Sequence, residues 1–242
     1  MTNSPEVKAL ARRQIRTVPL QHLPGTHRWN VTDPLPPTGN IGIELGVAAG
    51  SFSARMVASG RFAQFWGVDA YADRHNVAQY KAALVAVGLW SDYRLLRMTF
   101  EEAVTLFPDG FFDFIYFDGY AHTGEEGGAT LRDWYPKLKP GGVFAGDDYS
   151  ADAWPLTVWA VNEAAAQIGV AVSVTDIVLD EAFNRHPSWF FVKPADGPSL
   201  LTFPPELDRI AAAEKLRVAA KRRQRRKDRR AAAVKGSAGR ES

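Results

Sequence analysis

The feature that most constrains this chain is an alternation. From Asn40 onward, short apolar runs of strand length are followed by segments with helical periodicity, and four of the runs end at acidic residues. The runs are Ile41–Leu45, Phe65–Val68, Tyr93–Met98, Phe112–Phe117, Val143–Ala145, Ala171–Val178 and Trp189–Val192. Between them, Ser51–Ser59, Ala78–Val87, Glu101–Leu106, Glu125–Leu138 and Leu156–Ile168 read as helices. Gly88 and Pro108 stop the second and third helices, and Pro136 breaks the fourth. Strand–helix alternation implies right-handed βαβ units. The expectation is an α/β fold with a mainly parallel seven-stranded sheet and helices on both faces, which suits strands that are apolar without a break. In such open sheets, ligands bind at the carboxyl ends of the strands.

The chain has 242 residues, of which 46% are apolar. That is enough for one well-buried domain plus short appendages. Three regions are expected: an N-terminal arm at residues 1–39, punctuated by Pro19, Pro24, Pro34, Pro36 and Pro37; the α/β domain at 40–207; and a tail at 208–242. There is no cysteine, so disulfides and thiolate zinc sites are excluded. No apolar run reaches 18 residues, so no membrane span is expected. The polar N-terminus lacks the apolar centre of a signal peptide, which makes the cytoplasm the expected location.

The charge is uneven. Residues 208–242 hold 13 Lys and Arg against 4 Asp and Glu, whereas the remainder holds 16 against 23. Charge runs of this kind are often solvated extensions. The other readings are contact with a nucleic acid or other polyanion, and docking on an acidic body. With 11 basic residues between 215 and 235, no sharp apolar stripe continues beyond Ala219, which excludes an ordinary membrane-lying amphipathic helix.

The first constellation with chemistry is IGIELGVAAGSFS, where a strand ends at Glu44-Leu45-Gly46 and a helix opens after Gly50. Glycines at 42, 46 and 50 do not fit the dinucleotide fingerprint, and no Gly-Lys-Ser/Thr follows to make a P-loop. Asp69 lies 19 residues after Gly50 at the end of the second strand. A lone Asp there commonly caps a helix, but the spacing favours a carboxylate accepting from a ribose diol. Tyr71 could line the same pocket. Met98-Thr99-Phe100 follows the third strand, where an aromatic or Met is as often core as ligand contact.

The Glu-x-Gly-x-x-x-Gly form resembles motif I of class I methyltransferases. That resemblance implies a Rossmann-like domain whose loop (Gly46, Gly50 and Ser51) cradles the methionine part of S-adenosylmethionine, with Glu44 orienting it. Asp69 would hold the ribose, with Thr99 and Phe100 near the adenine. The stretch from Phe112 to Tyr149 is more specific. Phe117-Asp118-Gly119, Tyr120 with His122, Leu138–Gly142 and Gly146–Tyr149 resemble the metal-dependent macrocin O-methyltransferase group, over roughly residues 40–195. In that group the loop commonly reads Asp-Gly-Asp-His; here it is Asp118-Gly119-Tyr120-Ala121-His122, so the histidine is shifted.

Three carboxylates at the ends of adjacent strands would repel one another without a cation. Asp118, Asp147 and Asp148 are therefore the candidate ligands of Mg²⁺, with Asp118 also near the cofactor. By resemblance Asp147 is the candidate base, and His122 the second. The alternative is that Asp147 and Asp148 cap a helix starting near Ala151, with Asp118 an ordinary loop residue. The expected function is O-methylation of a hydroxylated small molecule, such as a sugar or glycosylated metabolite, by an enzyme that could assemble as a homo-oligomer. Two rivals remain: methylation of RNA or a nucleic-acid-associated substrate through the basic tail, and a non-catalytic binding protein on a degenerate methyltransferase fold. The first is weakened by the lack of an Asn/Asp-Pro-Pro-Tyr-like motif.

Overall fold

A computed structural model describes residues 3–72, 75–89, 91–119, 127–177 and 185–238. Its elements run in the order α1 (Pro5–Gln14), β1 (Leu20–Leu23), a 3₁₀ turn (Arg28–Thr32), β2 (Asn40–Leu45), α2 (Ser51–Ala58), β3 (Phe62–Val68), α3 (Val77–Val87) and β4 (Tyr93–Leu96). Then come α4 (Phe100–Val104), β5 (Phe112–Phe117), α5 (Ala129–Trp134), a 3₁₀ turn (Tyr135–Lys137), β6 (Leu138–Gly146), α6 (Pro155–Ile168), β7 (Val172–Thr175), β8 (Trp189–Val192) and α7 (Pro205–Ala238).

The strands form one sheet in the order β1-β7-β8-β6-β5-β2-β3-β4. All its pairings are parallel except those of β8 with β6 and β7. This is the α/β architecture read from the alternation, with one strand more than the seven expected. The eighth is β1, from the Pro-rich arm. It pairs with β7 from Leu20↔Val172 to Leu23↔Thr175. Only Leu23 of its four residues is even half-buried, so backbone bonds hold it and no apolar alternation announces it.

Side chains alternate between faces along each strand, and this splits the core in two. Ile43, Leu45, Ile115, Phe117, Phe144, Trp189 and Phe191 pack on one side with α5, α6 and the start of α7. Phe65, Phe114, Tyr116, Val143 and Phe190 pack on the other, with Phe52 and Met56 of α2 and Val31 and Leu35 of the arm. Pro140-Gly141-Gly142 belongs to β6. It lies inside that strand as a bulge: Phe112 pairs with Leu138, but Phe114 pairs with Val143. Gly141 and Gly142 exchange backbone bonds with Lys193, which anchors the bulge at the end of β8.

Candidate functional site

The hydrogen-bond ladder of the parallel strands runs one residue past their ends. The Asp69 N–H donates to Leu96 (3.1 Å), Gly46 to Val68 (2.8 Å), Asp118 to Leu45 (2.8 Å) and Asp147 to Phe117 (3.1 Å). Each bond steps across to the neighbouring strand. Asp69, Gly46, Asp118 and Asp147 therefore stand in a row on the carboxyl edge, about 4.8 Å apart from strand to strand. Ser188, immediately before antiparallel β8, extends the row, with its hydroxyl 3.1 Å from Asp147 Oδ1.

Backbone strain concentrates on this edge. Among the described residues, three non-glycines have a left-handed backbone: Ala48 (φ 49°), Tyr71 (φ 48°) and Asp148 (φ 60°). All three directly follow the ends of β2, β3 and β6. Strained residues gather where structure is held for a ligand. Ala48 is clamped from both sides: its N–H donates to Asp69 Oδ2 (2.9 Å) and its carbonyl accepts from the Tyr71 hydroxyl (2.9 Å). Tyr71 is thus buried behind the loop rather than lining open space.

Asp69 also accepts the Tyr71 N–H at 3.0 Å, and His75 Nδ1 lies 2.5 Å from its Oδ2. Burial opposes its ionisation, but the hydrogen bonds from His75, Ala48 and Tyr71 outweigh that and hold the carboxyl below the usual range. Gly46 has φ 102°, and a Cβ there would lie 1.8 Å from the Asp118 carbonyl oxygen. Glycine at this position lets the loops after β2 and β5 cross in backbone contact. At Gly50 a Cβ would lie 2.8 Å from Ala83 Cα, so this glycine seats α2 on α3. Ser51 opens α2 and is exposed.

Glu44, Thr99 and Phe100 each hold the fold around this row. Glu44 points to the face covered by α2, is 1% exposed, and accepts the Ser53 hydroxyl. Ser53 in turn lies 3.0 Å from the Tyr93 hydroxyl. Burial, and then the charge of Asp118, push the Glu44 carboxyl well up. It braces the glycine loop from beneath and has no surface to offer a ligand. Thr99 is the N-cap of α4, with its hydroxyl accepting the Glu102 N–H at 3.2 Å. Phe100 packs over Gly119 and against the core, at the edge of the row. His122, the second candidate base, lies outside the described residues, as does Tyr120.

The acidic end of the row holds a group that no sequence motif marked. Arg28 of the arm is 4% exposed. Its Nη2 lies 2.5 Å from Asp118 Oδ2, and its Nη1 lies 3.7 Å from Asp147 Oδ2. Its guanidinium carbon stands 5.1 Å from the Phe52 ring centre and 5.4 Å from that of Tyr116. Burial pushes the carboxyls of Asp147 and Asp148 up; Arg28 lowers both, and their negative neighbours act against it. Asp147 and Asp148 do not cap α6, whose N-cap is Trp154.

Residues 40–149 match a family model described as a methyltransferase domain. The matched stretch runs from the start of β2 to just past the end of β6. Among solved structures, the CurJ carbon methyltransferase is 14% identical with a TM-score of 0.50, over 68% of this chain and 51% of its own, a likeness of fold. An S-adenosylmethionine-dependent methyltransferase from Mesorhizobium loti is 22% identical over 51% of this chain and 54% of its own, with a TM-score of 0.41. N-methyltransferase NodS from Bradyrhizobium japonicum is 14% identical over 79% and 98%, with a TM-score of 0.47. The chain spans about half the length of the Mesorhizobium loti protein and of a Listeria monocytogenes methyltransferase that it also matches. No curated protein matches it significantly.

Two groups implied by the sequence resemblance can be tested against the residues present. S-adenosylmethionine fits: Asp69 is an ionised strand-end carboxylate whose Oδ1 accepts one bond and has room for another, beside a loop held in a strained shape. Mg²⁺ does not fit. An octahedral ion needs several oxygens turned toward one point at 2.0–2.1 Å, by the general geometry of about six ligands. Here an oxygen of Asp118 and one of Asp147 are turned to a guanidinium. Among the described residues, no three His, Asp or Glu side chains converge on a cation site. The expected metal triplet is corrected accordingly: Asp118 and Asp147 do meet, but around Arg28.

Proposed function

We propose that this chain is an S-adenosylmethionine-dependent O-methyltransferase acting on a hydroxyl of a small molecule, with sugars or glycosylated metabolites as the class to which the sequence resemblance points. The observation that carries the reading is the row of Asp69, Gly46, Asp118 and Asp147 on one sheet edge, with the strained Ala48 loop beside it. When bound, S-adenosylmethionine supplies an electrophilic methyl group on a sulfonium. Asp69 would accept from its ribose, and its low carboxyl keeps that contact charged at neutral pH. Asp147 stands three strand spacings away, about 14 Å along the edge, on the acceptor side.

The chemistry asked of the protein is modest: orient the acceptor hydroxyl and take its proton as the oxygen–carbon bond forms and the sulfur–carbon bond breaks. Asp147 suits the second task. Ser188 fixes one oxygen, and burial lifts its carboxyl toward the range where a base both stays ionised and accepts a proton readily.

The test is methyl transfer from labelled S-adenosylmethionine to a panel of sugars, glycosides and phenols, comparing the native chain with Asp147→Asn. The expected result is label on oxygen and a fall in kcat of at least about 100-fold in the variant, the usual scale for a lost general base, with cofactor affinity unchanged. Label on nitrogen or carbon, or undiminished turnover in the variant, contradicts the proposal.

A further inference from the structure

The arm is built to deliver one cation. Val31 and Leu35 are buried against the sheet, and Trp29 lies under the Arg55 guanidinium of α2 at 4.1 Å. Just before these anchors, at the start of the 3₁₀ turn, Arg28 is buried. Its guanidinium lies over Phe52 and Tyr116, whose rings stack on each other with centroids 4.0 Å apart. Tyr116 then leads back to the site, since its hydroxyl is 3.2 Å from Ser188 Oγ, the same hydroxyl that bonds Asp147. A guanidinium cannot lose its proton in a protein and offers its donors in a rigid planar fork.

We propose that Arg28 is the built-in cation of this site: it bridges Asp118 and Asp147 where a divalent ion would otherwise be needed, so that the site is assembled and cofactor is bound without metal. Arg28 is thereby a positioning residue, acting through Asp118 and Asp147, and the arm becomes part of the catalytic site. The negative charge that crowds these strand ends needs a positive partner. A tethered guanidinium supplies one that no chelator removes, and it occupies the carboxylate oxygens that an ion would use. The inference concerns the site of the proposed O-methyltransferase and rests on that reading only for the role of Asp147.

The test is Mn²⁺ titration of the full chain, stripped with EDTA, followed by electron paramagnetic resonance of the free ion, with no cofactor or acceptor present. The native chain is expected to show no stoichiometric site with Kd below about 1 mM. Arg28→Ala is expected to gain one, because the same oxygens are released. Should Arg28→Ala not fold, Arg28→Gln keeps much of the stem, drops the charge and carries the same expectation. In parallel, S-adenosylmethionine affinity of the native chain is expected to be equal in EDTA and in Mg²⁺. A Mn²⁺ site in the native chain that Asp147→Asn removes overturns the proposal, as does a folded Arg28 variant that gains no site, or cofactor binding that EDTA abolishes and Mg²⁺ restores. A native chain that binds no cofactor under either condition instead counts against the methyltransferase reading, and the Mn²⁺ result still decides the cation.

Discussion

Gly46 shows how much a single position can determine. With φ 102° and the Asp118 carbonyl where a Cβ would be, it joins the loop after β2 to the loop that carries Asp118. Gly46→Ala is expected to lower the unfolding free energy by about 3 kcal/mol or more, because backbone on both sides must shift. Denaturant unfolding would show this as a lowered midpoint with the slope unchanged. Gly46, Asp69 and Asp118 were legible because their signal is local: a turn residue or carboxylate at the end of an apolar run. The role of Glu44 was misread because the motif names a residue type and not the face it takes; alternation along β2 decides that, and it turns Glu44 toward Ser53. Arg28 and His75 were not legible at all. Their partners lie 90 and 6 residues away, and the longer of these contacts exists only once the arm has folded over the sheet.

At the scale of elements, the central strands followed directly from sequence, since β2 and β5 are apolar almost throughout and buried on both faces. The arm strand β1 was missed for the opposite reason: it is an exposed edge strand between Pro19 and Pro24, held by its backbone. Helix α7 is two things in sequence and in space. Leu207, Ile210, Ala211, Glu214 and Val218 recur at helical spacing and are buried, while beyond Val218 none of the described side chains is. Leu207→Ala is therefore expected to cost about 2–4 kcal/mol, the range for a fully buried Leu, whereas truncation after residue 220 should leave the thermal midpoint unchanged; calorimetry of both variants checks this. Glu214 ties α7 to the N-terminus, accepting the Ser4 N–H at 2.9 Å and Arg217 at 2.7 Å. Burial opposes its ionisation, but these partners prevail and its carboxyl is held low. A carboxyl lower in the folded chain than in the unfolded one stabilises above the unfolded value, near 4.3, and that contribution is lost as pH falls through the folded value. Glu214→Gln should thus be less stable than the native chain at pH 7, with the gap closing below about pH 4 in thermal melts across pH.

At the scale of the molecule, the two cores on opposite sheet faces leave one edge for function. Residues 28–35 of the arm cover one face and reach that edge, while α1, α6 and the start of α7 pack on the other. No helix among the described residues is long and apolar enough to cross a membrane. On the proposed reading the chemistry is gathered along a single line, with cofactor at Asp69 and acceptor at Asp147. The most direct measurement of this account is calorimetric titration of S-adenosylmethionine into the native chain and into Asp69→Ala. The account predicts one site per chain, and an affinity at least about 10-fold weaker in the variant, the equivalent of one charge-assisted hydrogen bond of about 1.5 kcal/mol or more. A folded native chain that binds no S-adenosylmethionine, or an Asp69→Ala chain that binds it equally well, would contradict it.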